Sequence, residues 1–193
     1  MLRRLDLEAL PFATVIGFVG QGLQRLLARS IEAAGGRPDV ALECASSAFA
    51  EIYGAGLLDH TRPYPGLEPV LRTLAARGTT LSVLTNKPRP FTEAILRGLG
   101  LDALFAASIC GDDPMARKPA PDGAFALVRA SGVPAARALL VGDSAEDVAT
   151  ARAAGIASCA VTWGFRSSDE LARALPDHQV RAPAELLALA PSA

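Results

Sequence analysis

The stretch Leu139-Leu140-Val141-Gly142-Asp143-Ser144-Ala145-Glu146-Asp147-Val148 runs from apolar residues through a glycine into three carboxylates. A short apolar run ending at a glycine reads as a buried strand. Ser144 then stands where a helix N-cap belongs, ahead of a helical segment from Ala145 to Ala154 that Gly155 closes. Strand, polar turn and helix in that order form the repeating unit of a parallel sheet flanked by helices, an α/β fold. Asp143 thus falls at the end of a buried strand, where a carboxylate incurs desolvation unless something pairs with it.

The same unit recurs from Pro65 onward. Thr80 to Thr85, Leu104 to Cys110 and Ala157 to Thr162 read as further strands. Leu67, Val70, Leu71 and Leu74 recur at helical spacing before a stop at Gly78, and further helices are predicted from about Pro90 to Leu99, Asp122 to Ala130 and Ser168 to Ala174. The tail from Gln179 to Ala193 reads as one more short helix. Residues 1 to 60 differ, with alanine- and leucine-rich helical patterns from about Gly22 to Ala34 and Val40 to Tyr53 and no strand between them. Two prolines and a glycine in His60 to Gly66 mark a linker. The expectation is a small helical unit over 1–60 and an α/β unit over 61–193.

Composition narrows the class. The chain has 193 residues, half of them apolar, enough for a proper core. Nineteen basic and twenty acidic residues give a net charge of −1 with no basic block, which disfavours nucleic acid as a partner. No apolar run reaches the roughly 18 residues of a membrane span, and the amino terminus lacks a signal-type apolar core, so a cytoplasmic location is expected. Cys44, Cys110 and Cys159 are odd in number and widely spaced, which argues against a disulfide framework or zinc site and for small core residues. His60 and His178 neighbour no serine or cysteine nucleophile, and Gly17 to Gly22 has the wrong spacing for a dinucleotide fingerprint.

Ligands of open α/β sheets bind outside the carboxyl ends of the strands. There the sequence places Thr85-Asn86-Lys87-Pro88, a loop from Gly111-Asp112-Asp113 to Lys118-Pro119, and Gly142-Asp143-Ser144. This set suits a phosphate held with a divalent metal. Lys118 offsets anionic charge, Thr85 donates a hydrogen bond, and Asp143 supplies a hard oxygen ligand. Ser144 and Glu146 read more simply as a helix cap and a surface charge favourable to the helix dipole, while Asp147 suits either a capping box or a second carboxylate of the site.

Thr61-Arg62-Pro63-Tyr64-Pro65-Gly66, Leu84 to Pro88, Arg117-Lys118-Pro119 and Val141 to Ser144 with Asp147 together resemble bacterial phosphoglycolate phosphatases of the haloacid dehalogenase superfamily. Gly17 to Gly22 resembles the start of that family's helical cap, and Ala151 to Gly155 the helix end after its acidic motif. The resemblance implies that Thr85, with Asn86 beside it, binds a phosphoryl oxygen, and that Lys118 neutralises phosphate and nucleophile. It further implies that Asp143 is a Mg²⁺ ligand and that Asp147 supports the metal or its waters. The implied reaction is hydrolysis of 2-phosphoglycolate through an aspartyl-phosphate, under a cap formed by residues 1–60.

The family's opening strand, ending in Asp-x-Asp-Gly-Thr and carrying the nucleophile and the general acid/base, has no counterpart here. Asp6-Leu7-Glu8 comes nearest but follows no apolar strand. The chain reads as starting inside the cap, as though truncated or begun at an internal methionine, and little activity is expected of it. By the same resemblance the missing strand belongs between those ending at Thr85 and Asp143, so two inner sheet edges are expected to lack a partner. The competing readings are a phosphatase of another small phosphomonoester and a non-catalytic module that binds a phosphorylated metabolite or a protein partner.

Overall fold

The computed structural model of the chain describes residues 1–115 and 117–190. Its first part is helical: α1 (Phe12–Phe18), α2 (Leu23–Ala33) and α3 (Pro38–Ala55). Leu27 and Ile31, four apart on one face of α2, meet Ala45 of α3 in a buried centre, where Leu23, Leu42 and Phe49 also pack. Helix α1 is not predicted by the sequence. Its seven residues hold three β-branched side chains and a glycine, none of them buried, so neither propensity nor periodicity announces it.

The second part alternates as predicted. Its elements are α4 (Leu67–Ala76), β1 (Leu81–Leu84), α5 (Arg89–Gly98), β2 (Phe105–Ile109), α6 (Asp122–Ser131), β3 (Leu139–Gly142), α7 (Ala145–Ala154), β4 (Ala157–Val161), α8 (Ser168–Arg173), β5 (His178–Val180) and α9 (Leu186–Leu189). Every strand pair is parallel. The core joins Val70 and Leu74 of α4, Cys159 and Val161 of β4, Val180 of β5 and Leu186 of α9.

The tail departs from the expected single helix. His178–Val180 pairs with Cys159–Val161 as an edge strand before the chain turns into α9, and the tail residues 191–193 lie outside the described residues. Three residues carry no readable period; the β4 edge supplies their hydrogen bonds. Cysteine burial also differs in one case. Cys110 and Cys159 are buried, but Cys44 is exposed, one step round α3 from buried Ala45.

The strands form two sheets, β1-β2 and β3-β4-β5, with no ladder between β1 and β3 among the described residues. The two strands therefore do not close up on each other. Helix α6 packs on β1, β2 and α7, so a helix rather than a ladder spans the division. Burial follows. In β4, flanked on both sides, Ser158 to Val161 are all buried, whereas Val141 of β3 is 44% exposed, against its expected place in a core strand. Parallel strands ordinarily lie covered on both faces, which leaves β1 and β3 as half-satisfied edges. Amide hydrogen exchange measured by mass spectrometry should thus be faster in β1 and β3 than in β4. Equal protection of β3 and β4 would mean that the free edge of β3 is covered.

Candidate active site

Thr85 leaves β1 with its N–H still bonded to the Ile109 carbonyl (2.9 Å), then turns the chain by accepting the Lys87 N–H at its Oγ1 (3.1 Å). That bond uses the hydroxyl as acceptor and leaves its proton to donate. Asn86 is buried, and its side chain acts as a clamp. Its Nδ2 donates to the carbonyls of Gly20 (2.9 Å) and Lys118 (3.1 Å), and its Oδ1 accepts the Lys118 N–H (3.0 Å). Both amide protons are therefore committed to backbone. The Asn86 side chain, expected beside a phosphoryl oxygen, is instead engaged in positioning the Lys118 backbone.

Lys118, whose peptide bond to Pro119 is cis, reaches across the sheet division to Asp147, Nζ to Oδ1 2.6 Å, with 15% and 7% of the two side chains exposed. The other oxygen of Asp147 accepts from Ser144 N–H (3.1 Å) and Ser144 Oγ (2.6 Å), and Ser144 Oγ accepts the Asp147 N–H in return. Asp147 thus closes the capping box of α7 with one oxygen and faces Lys118 with the other. Gly142 permits this. A Cβ there would stand 2.2 Å from the Asp147 carboxyl carbon.

Asp143 accepts the Phe165 N–H at Oδ2 (2.8 Å), while its Oδ1 has no donor among the described residues. Gly164 makes room in the same way, since a Cβ would lie 2.2 Å from that of Asp143. Tyr64, read in the sequence as part of a linker, lies in the field of this carboxylate. Burial, and then the Asp143 charge, push its phenol above the ordinary range. Glu146 corrects another expectation. It is half-buried, not a free surface charge, and accepts Gln21 Nε2 (2.9 Å) from the segment ahead of α2. Burial pushes its carboxyl up, but the bonds from Gln21 and its own backbone N–H, with the Arg166 charge, hold it below the usual range.

No described cluster of three or more His, Cys, Asp or Glu could hold a metal by itself. Asp143, with one unengaged carboxylate oxygen beside the committed Asp147, is the residue at this edge that could hold a hard divalent cation such as Mg²⁺. The two buried thiols are poor nucleophiles. Burial, aided by Glu185, pushes the Cys159 thiol up to about 11, and burial raises that of Cys110, so both stay protonated. Asp6 and Glu8 are exposed beside the helical part, Asp6 ending the 3-10 turn Leu2–Leu5 that packs on α3. A cavity of about 510 Å³ opens next to Lys118, between its loop and α2.

The family model for haloacid dehalogenase-like hydrolases matches residues 6–155. A phosphoglycolate phosphatase of Rhodospirillum rubrum is 42% identical over 165 residues, covering 83% of this chain and 68% of the relative. One of Yersinia pestis is 31% identical over 187 residues, covering 96% and 81%. The crystal structure of a predicted phosphoglycolate phosphatase from Haemophilus somnus 129pt superposes with a TM-score of 0.92 at 28% identity, covering 97% of this chain and 86% of that one. The polar strand ends, the helical part above them and these likenesses agree: the chain belongs to the haloacid dehalogenase-like hydrolase family, among its phosphoglycolate phosphatases.

Proposed function

We propose that this chain carries the phosphate- and metal-binding half of a phosphomonoester hydrolase site whose substrate is 2-phosphoglycolate or a close analogue. The observation that supports it most is the Lys118–Asp147–Ser144 network set beside the unengaged oxygen of Asp143. A phosphoryl group at this edge meets the Lys118 ammonium, which turns part of its charge from Asp147 toward the incoming anion. It also meets the free hydroxyl proton of Thr85. Asn86 keeps Lys118 in reach by holding both its backbone N–H and its carbonyl. Asp143, with Asp147 behind it, would hold Mg²⁺, whose contribution when bound is to offset charge on the phosphoryl oxygens.

The carboxylate that attacks phosphorus belongs on an extended segment lodged between β1 and β3, a segment that residues 1–193 do not contain. The unpaired edges of those strands and the exposure of Val141 support that placement. Assay of phosphate release from 2-phosphoglycolate with Mg²⁺ tests the reading. The 193-residue chain should turn over at least about 10²-fold more slowly than a form extended by an apolar strand ending in Asp-x-Asp-Gly-Thr. In the extended form, Lys118→Ala and Asp143→Asn should each lower kcat by about 10²-fold or more. Comparable turnover by the unextended chain, abolished by Asp143→Asn, would contradict the assignment of the nucleophile.

A further inference from the structure

Two consecutive side chains leave the turn after β1 for two different places in the helical part. Asn86 donates to the Gly20 carbonyl, and Lys87 Nζ donates to the phenol oxygen of Tyr53 on α3 (2.7 Å). The backbone of Lys87 meanwhile serves the site. Its N–H donates to Thr85 Oγ1 (3.1 Å), and its carbonyl accepts the Gly111 N–H (2.9 Å) at the start of the loop that carries Lys118. The residue that engages the Thr85 hydroxyl through its N–H is thus itself anchored through its ammonium.

Tyr53 is held ready for that contact. Its ring stacks on Phe49 at 4.9 Å and meets Phe91 of α5 edge-on at 5.1 Å, so the phenol oxygen is presented at a set position. A lysine beside a tyrosine is ordinarily a stem laid on apolar surface with its charge turned to water. Here both residues are half-buried, and no ion pair among the described residues includes Lys87. The phenol oxygen and the ring face, whose centroid lies 5.1 Å from Nζ, are what receive the ammonium.

We propose that Tyr53 is a positioning residue for phosphate binding: through Lys87 it holds the turn after β1, so that the Lys87 N–H engages a lone pair of the Thr85 hydroxyl and leaves its proton for a phosphoryl oxygen. This rests on the hydrolase reading, which places that oxygen at Thr85. With the N–H in place, the hydroxyl is committed as acceptor within the chain and is ready to donate outward. Without the anchor the turn must be ordered when the anion arrives, and that ordering is subtracted from the affinity. The seating of α3 is thereby coupled to the strength of the phosphate contact at the strand ends.

Calorimetric titration of the 193-residue chain with inorganic phosphate, Mg²⁺ being present, tests this. Tyr53→Phe keeps the ring between Phe49 and Phe91 and the charge of Lys87 but removes the acceptor, and affinity for phosphate should fall about fivefold. Lys87→Arg keeps a donor for Tyr53 and should stay within about twofold of the parent, whereas Lys87→Met should lose at least as much as Tyr53→Phe. Thr85→Val should lower affinity about tenfold, and adding Tyr53→Phe to it should cost less than about twofold more, because the anchor acts through that hydroxyl. If Tyr53→Phe lowers the urea midpoint of the chain, Lys87→Met takes its place in the cycle with Thr85→Val. Unchanged affinity in Tyr53→Phe, or losses at Tyr53 and Thr85 that multiply, overturns this inference alone. A parent chain that binds no phosphate overturns both it and the hydrolase reading.

Discussion

A lysine ammonium 2.6 Å from a carboxylate, with 15% and 7% of the two side chains left in water, bridges two sheets that share no ladder among the described residues. Burying such a pair is costly unless the remaining lone pairs are satisfied. Around Asp147 they are. Ser144 supplies two donors to its second oxygen, and the amino-terminal end of α7 adds a favourable dipole. Around Lys118 the Asn86 side chain fixes the backbone, so the ammonium is aimed before any ligand arrives. The identities of Gly142, Ser144 and Asn86 all follow from this one contact: Gly142 must lack a side chain, Ser144 must donate and accept, and Asn86 must do both toward backbone.

The helical part is tied to the same edge by bonds that end on site residues or their neighbours. Gly20 accepts from Asn86, Val19 accepts from Arg166 (2.7 Å), Gln21 donates to Glu146, and Tyr53 of α3 accepts from Lys87 (2.7 Å). Tyr53 also stacks on Phe49 at 4.9 Å and meets Phe91 of α5 edge-on at 5.1 Å, an apolar contact between the two parts. The segment just before α2 is therefore held over the strand ends. This is how residues remote in sequence, such as Gln21 and Arg25, come to share a cavity with Lys118.

Much of this was legible in the sequence. β1 to β4 and α2 to α7 were readable because apolar runs of strand length alternate with helical periods and are punctuated by glycines. Asp143 and Lys118 stood out by type, as charges at strand ends, and the resemblance to a known family gave them roles. The rest depended on which loops approach one another. The commitment of the Asn86 amide to Lys118 and Gly20, the proximity of Tyr64 to Asp143, and the pairing of Gln21 with Glu146 are long-range contacts that no local pattern encodes. Helix α1 and strand β5 escaped for a related reason, since each is too short to show a period and is held by its neighbours.

The claim that one ion pair organises this edge is tested most directly by a double-mutant cycle in stability. Lys118→Met, Asp147→Asn and the combined variant would be unfolded in urea alongside the parent chain. A coupling energy of at least about 1.5 kcal/mol is predicted, each single change leaving a partner charge or dipole buried without its counterpart. Additivity within about 0.5 kcal/mol would contradict the account, because the two sheets would then be held together by something other than this contact.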